Sequence, residues 1–503
     1  MFNRQTNVIN LTFIFIGVSL LLKLFTIGAN DLLVEEAYYW NYSTHLDFSY
    51  LDHPPMVALL IRLSTSIFGI NEFGVRFPTI ICWIITALFS FKLTHLIKHQ
   101  CGLYAVLLLA ILPFFFLQSL VITPDLPLIA CCPAALYYLY KALVLDQTRP
   151  WYYAGLWLGL GMISKYTIVL LGLATLLYLI FVPDARKWFC KKEPYLCFIL
   201  TTILFSPVIY WNANHDWASF AFQSTRRLNA SFSFSFHELA GLFIAFLTPL
   251  GVVGFWALFQ TKAIKNAQMT LKTTSFLRIF TLTPLLVFSL FSLRHEIKFN
   301  LIGPGLLALI PWLAILIHTS KPRLYRAWII TASVLLLLYI AMIGCIMSGK
   351  PETLNRHVLS KYIAWSDLTR EVLKQADSMK KSPIIVPMDL YNIASELRFY
   401  QAKFVALQER TKQYKIVGRN LFGIDSLMYR YWTTAALKPG DTLLLIAEDP
   451  NLFQLHEVLE RVTAQSSLKA IWAHSQGAGG RIRKYYFQEV QATSAPAKQA
   501  GNK

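Results

Sequence analysis

Residues 30–56, NDLLVEEAYYWNYSTHLDFSYLDHPPM, concentrate reactive side chains between two apolar stretches. The segment carries Asp31, Glu35, Glu36, Asp47 and Asp52, the imidazoles of His45 and His53, and the rings of Tyr38, Tyr39, Trp40, Tyr42 and Tyr50. A carboxylate in a partly dry site holds its proton more tightly than in water, which suits a general base. Adjacent Glu35 and Glu36 cannot both point one way. One is expected to face a site as the catalytic group, while the other caps a helix or pairs with a base. Tyr38 and Tyr39 are candidate substrate contacts. Asp52-His53-Pro54-Pro55 closes the segment. The two prolines fix φ and remove two donors, so the loop is stiff there. It would hold Asp52 as a candidate metal ligand and His53 as a candidate phosphate contact. A plain aromatic belt with solvated acids is the simpler alternative, but it does not account for paired acids followed by Asp-His-Pro-Pro.

Four further stretches offer polar chemistry at the ends of apolar segments. Thr123-Pro124-Asp125 is a turn and helix start in its plainest reading, with Asp125 as a further candidate catalytic carboxylate. Ser164-Lys165-Tyr166 places a lysine in membrane-depth sequence, which is costly and points to function. A lipid phosphate is its natural partner. Trp211 to Trp217, WNANHDW, is followed by Arg226 and Arg227. His215 is a weak metal candidate, and the two arginines could clamp a phosphate. Lys298, in RHEIKFN, is a last phosphate candidate. A divalent metal on Asp52 and His215 is the only cofactor for which the sequence offers ligands.

The elements that must position these groups are membrane helices. The chain has 503 residues, 55% hydrophobic and 15% charged, and its apolar runs have the length that crosses a bilayer. Eleven helices are expected, at 9–29, 78–97, 101–121, 126–145, 151–164, 166–183, 195–211, 238–260, 276–293, 300–318 and 327–348. The fifth is short for a span. The net charge of +19 does not indicate nucleic acid, because the basic residues are spread over short loops. There they set topology and meet membrane lipids. With the N-terminus inside, the loops 96–100, 145–150, 183–194, 260–272 and 318–326 hold most loop Lys and Arg. The acid-rich loop 30–77 then lies outside, with everything after residue 349. The seven cysteines form no CxxC pair, so neither a disulfide framework nor a thiolate zinc site is expected. Residues 1–349 are expected to form the membrane domain. Residues 350–490 read as a small extracytoplasmic α/β domain, with strands at 384–390 and 441–449 and helices at 366–380 and 451–463. Residues 491–503 read as a disordered tail.

With these residues in view, the chain resembles the bacterial glycosyltransferases related to dolichyl-phosphate-mannose–protein mannosyltransferases. The likeness is carried by EEAYYWNYSTHLDFSYLDHPPMVALLIRL (35–63), FGVRF (73–77), ITPDLPL (122–128), GMISKYTIVLL (161–171) and WNANHDWASFAFQ (211–223). It implies a polytopic α-helical membrane fold of the GT-C type in a bacterial inner membrane. The donor it implies is a polyprenyl-phosphate sugar, and the acceptor a lipid, a glycan or a protein outside the cytoplasm. It also implies an inverting single displacement. The family motif in the first loop is Asp-Glu with Asp as the catalytic carboxylate, which aligns with Glu35. The family's acid-base pair before Pro-Pro aligns with Asp52 and His53. Asp125, Lys165 and His215 fall on positions the family uses near donor phosphate or metal. The competing reading is a lipid-linked-sugar transporter or flippase, with Gly303-Pro304-Gly305 as a helix break. Against it, the polar residues gather in outer loops and no repeated halves are visible.

Overall fold

The structure, a computed structural model, describes residues 2–225, 231–348, 364–433, 436–474 and 481–493. Arg226, Arg227 and residues 494–503 lie outside this set. The chain divides into two compact units. One comprises residues 1–27, 47–60 and 76–341, the other residues 28–46, 61–75 and 342–503. The boundary expected at 349–350 falls among residues that are not described. Residues 28–46 and 61–75 cluster with the C-terminal residues.

The first unit is helical. All eleven expected segments contain helix. Among the described residues, six helices are long and apolar enough to cross a membrane: Glu72–Ile97, Asp125–Leu143, Glu193–Ala213, Phe236–Ala257, Leu271–Ser292 and Pro322–Ser348. A pair bent by 111°, Tyr166–Phe181 with Pro183–Cys190, would make a seventh. Two of the remaining segments are cut short. The run 101–121 is cut into Gly102–Ile111 and Pro113–Gln118. Pro113 has no N–H to continue the helix and forces Leu112 into an extended conformation (φ −65°, ψ 133°). Pro150–Met162 stops ahead of a break at Ile163 to Lys165.

Close helix contact fixes that break in place. Gly155 and Gly159 lie on one side of Pro150–Met162. A Cβ on Gly155 would stand 2.8 Å from the Cys197 carbonyl oxygen, and one on Gly159 would stand 2.5 Å from Leu204 Cδ1. Glycine therefore lets Glu193–Ala213 approach backbone to backbone, as small residues do between membrane helices. Thr201 Oγ1 donates to the Gly155 carbonyl at 3.1 Å across the same contact. Beyond Met162 the chain turns, with Ser164 and Lys165 N–H both donating to Gly161 O at 3.0 and 2.8 Å. Lys165 itself is extended (φ −159°) before a single 3-10 turn, Tyr166–Ile168. The lysine so stands in a gap between two helices.

The second unit is α/β. Its sheet runs β1 (Ile384–Pro387), β2 (Thr442–Ala447) and β5 (Arg481–Ala492), and β3 (Val462–Ala464) and β4 (Lys469–His474) share the far edge of β5. β1 and β2 are parallel, and the β5 pairings are antiparallel. The two expected strands are present, as is the helix expected at 366–380, here Trp365–Asp377. The helix expected over 451–463 is not. Pro450 opens only a short turn, Leu455 is extended (φ −60°, ψ 137°), and His456–Leu459 gives way to β3. Residues 491 and 492, expected in the tail, belong to β5, and 494–503 lie outside the described residues. In this unit helix Val34–Thr44 packs on Asn392–Ala406: Trp40 meets Phe399 edge to face at 5.2 Å, and Asn41 Nδ2 donates to Ser395 O at 3.2 Å. Asp31 accepts the N–H groups of Trp365 and Ser366 at 2.9 and 3.3 Å, and burial pushes its carboxyl above the usual range.

Candidate functional site

In the helical unit the structure joins two residues that the sequence singled out separately. Asp125 begins helix Asp125–Leu143 directly after Thr123-Pro124. Its Oδ1 accepts from Lys165 Nζ at 2.7 Å, and its Oδ2 accepts from Asn300 Nδ2 at 2.7 Å. Both charged side chains are almost wholly buried, at 10% and 5% exposure for Lys165 and Asp125. A buried charge needs such a partner, since desolvation without one costs several kcal/mol. Beside the pair, Thr123 Oγ1 and Asn300 Oδ1 are buried with no hydrogen-bond partner among the described residues.

A cavity of about 710 Å³ lies between helices Pro150–Met162, Val169–Phe181 and Glu193–Ala213. Its walls are apolar and include Met162 and Ile168, which flank Lys165 in sequence. Trp188 and Tyr195 also line it.

The stiff loop 47–56 is held by a second loop of the same unit, 211–223. Trp211 Nε1 donates to Asp47 Oδ2 at 2.8 Å, and Gln223 Nε2 donates to the Asp52 carbonyl. Met56 N–H donates to Ile163 O at 2.9 Å, which ties the loop to the break that carries Lys165. Asn212 Oδ1 takes the N–H groups of Ser219 and Phe220 at 3.1 and 3.2 Å, so 211–220 folds back on itself. Asp216 and Trp217 reverse the chain at φ 52° and 55°. Asp52 is buried and His53 half-buried. His215 stacks on Trp211 at 4.0 Å, and its Nδ1 is bonded to the Trp211 carbonyl at 2.8 Å. Among the described residues no group of three His, Cys, Asp or Glu is placed to hold a metal ion. Asp52 and His215 therefore have no third such ligand among the described residues.

In the α/β unit the two adjacent acids take different places. Glu36 is fully buried, and its Oε2 accepts the Leu33 N–H at 2.9 Å, capping helix Val34–Thr44. Glu35 is exposed. Tyr38 and Tyr39 are buried, and the Tyr38 ring lies 4.5 Å from Tyr391 and 4.9 Å from Tyr42. Lys298, in the helical unit, is exposed. Arg226 and Arg227 lie outside the described residues. Asn300 is the partner that sequence reading missed. The signal available was that a lysine and an aspartate in apolar surroundings must find each other and satisfy their remaining lone pairs.

Residues 52–211 match the family model described as dolichyl-phosphate-mannose-protein mannosyltransferase. That span holds Asp52, His53, Asp125 and Lys165. It stops short of Glu35 on one side and His215 on the other. The chain is also 26% identical over 193 residues to the lipid A galacturonosyltransferase RgtD of Rhizobium johnstonii, a match covering 37% of this chain and 40% of that protein. Its fold is that of ArnT from Cupriavidus metallidurans. The apo crystal structure superposes with a TM-score of 0.66 at 12% identity, covering 99% of this chain and 100% of that one. The structure of the same protein bound to undecaprenyl phosphate gives 0.66 at 13% identity, over 97% and 99%.

Proposed function

Residues 52–211 relate this chain to the dolichyl-phosphate-mannose-protein mannosyltransferase family, and from that premise we propose that it is a membrane glycosyltransferase. It moves a sugar from a polyprenyl-phosphate-linked donor to an acceptor hydroxyl, by inverting single displacement, on the periplasmic face of a bacterial inner membrane. The observation that carries this reading is the buried Asp125–Lys165 pair inside the matched segment, in the same unit as an apolar cavity lined by Met162 and Ile168. Asp125 orients the ammonium, which offers three donors, and Thr123, two residues before Asp125, adds a buried hydroxyl. These are groups for a phosphate. The cavity has the apolar lining that a prenyl tail needs. His53, Arg226, Arg227 and Lys298 are further proposed phosphate contacts. That the related ArnT has been solved with undecaprenyl phosphate, and that RgtD acts on lipid A, supports a lipid-linked donor and a lipid A type of glycolipid acceptor.

The proposed chemistry uses this chain's residues as follows. Glu35 takes the proton from the acceptor hydroxyl as its oxygen attacks the anomeric carbon. The bond from that carbon to the donor phosphate breaks, and the lipid phosphate leaves as an anion that Lys165 stabilises. Glu36 holds the helix that carries Glu35. The test is purified chain in lipid with a polyprenyl-phosphate sugar and a lipid A acceptor. Lys165→Ala is expected to abolish transfer. Undiminished transfer by that variant would remove the proposed phosphate site.

A further inference from the structure

Three arginines of the α/β unit have carboxylate partners: Arg370 with Glu409, Arg410 with Asp377, and Arg483 with Glu448. Arg398 does not. It lies on helix Asn392–Ala406, half-buried, with no carboxylate in ion-pair range among the described residues. Its Nη2 stands 3.3 Å from His45 Nε2, and its guanidinium carbon 5.8 Å from the Tyr429 ring and 6.0 Å from the Trp432 ring. A guanidinium only donates, so His45 Nε2 must accept. The imidazole is then neutral, with its proton on Nδ1 facing the Asn41 carbonyl at 3.0 Å. Trp432, also half-buried, stacks on His45 at 4.7 Å with 16° between the planes. This is a cation against an aromatic wall, hydrogen-bonded to the Tyr429 side chain and to His45 and with no carboxylate partner among the described residues. Such a wall accepts the C–H face of a sugar, and a guanidinium fork fits phosphate in bidentate fashion.

We propose that Arg398, with Trp432 and His45, forms a binding site for a phosphorylated glycan, which is the acceptor if the transferase reading holds. The geometry suits that use. Glu35 lies in the first turn of helix Val34–Thr44 and His45 caps its end, ten residues on, or about 15 Å at 1.5 Å per residue. A phosphate held at Arg398 leaves a hydroxyl elsewhere on a short oligosaccharide within reach of Glu35.

The test is binding of the full chain in detergent to lipid A and to the same lipid A treated with phosphatase, with inorganic phosphate as competitor. The wild type is expected to bind the phosphorylated form at least tenfold tighter. Arg398→Gln is expected to erase that preference, and Arg398→Lys to keep part of it. Competition by millimolar inorganic phosphate in the wild type alone would assign the site to the phosphate group itself, whichever molecule carries it. Equal binding of the two lipids by the wild type, or a preference intact in Arg398→Gln, would overturn the proposal. Polyprenyl-phosphate binding by the same variants serves as the folding control. A wild type that holds phosphorylated glycan but never turns over a donor would sink the transferase reading and leave this site standing.

Discussion

At the residue scale the Asp125–Lys165 pair combines structure with proposed chemistry, and the two can be separated. Removing Lys165 strands a buried carboxylate, so Lys165→Ala is expected to destabilise the chain by about 3–5 kcal/mol. Lys165→Ala with Asp125→Ala removes both charges and is expected to recover most of that loss, read as a thermal midpoint in detergent. Transfer should stay absent in the double variant, because the phosphate contact is still gone. A double variant as unstable as the single one would show that the two charges are not coupled. The acids of the first outer segment separate in the same way. Glu35→Gln is expected to lower turnover roughly 100- to 10,000-fold with an unchanged midpoint, the range for loss of a general base. Glu36→Gln retains a side-chain cap and should leave turnover near wild type. Glu36→Ala should cost about 1 kcal/mol of stability. In the sequence, adjacency showed that the two acids must differ in role but not which one turned inward. That choice depends on the helix start at Val34, where Glu36 reaches back to the Leu33 N–H. Asp125 and Lys165 stand out in sequence as charges at the edges of apolar runs. Their pairing does not, because 40 residues separate them and only the fold brings them together.

At the element scale the break at Ile163 to Lys165 depends on how closely Pro150–Met162 meets Glu193–Ala213. Gly155→Leu would drive a side chain against backbone atoms of Cys197. The expected cost is about 1–3 kcal/mol for overpacking, with a loss of transfer larger than the stability loss accounts for. Gly241→Leu is the control, since nothing lies within 4 Å of a Cβ there and it is not part of the cavity lining. Equal tolerance at the two positions would contradict the contact. The helical segments were legible because long apolar runs carry the signal in composition alone. Their interruptions were less so. Pro113 was visible in sequence, yet proline is tolerated inside Asp125–Leu143 and Glu193–Ala213 as well, so a proline alone does not say where a helix stops. In the α/β unit the amphipathic pattern of 451–463 suggested a helix. Pro450 and an extended Leu455 overrode it, and β5 recruited Val462–Ala464 as an edge strand.

At the scale of the whole molecule, pH should act through the α/β unit as well as through chemistry. Asp389, at the end of β1, is half-buried, and burial raises its carboxyl to about 6 despite the N–H groups of Asn392 and Ile393 that it accepts. The folded state therefore holds this proton more tightly than the unfolded chain. The stability it adds is fully present below about pH 4 and is lost as pH rises through about 6. Asp389→Asn keeps an acceptor for the helix cap and is expected to flatten the thermal midpoint between pH 4 and 7. A slope unchanged by that substitution would assign the pH dependence elsewhere. The chain comprises a multi-pass helical unit, with a buried Asp125–Lys165 pair and an apolar cavity, and an α/β unit that includes the exposed Glu35. The most direct measurement of the central claim is transfer by the purified wild type and Glu35→Gln in lipid, from a polyprenyl-phosphate sugar to lipid A, read by mass spectrometry of the acceptor. The account predicts that the wild type adds a single sugar mass with inverted anomeric configuration, and that Glu35→Gln adds almost none. Equal transfer by both proteins, or a retained configuration, would contradict it.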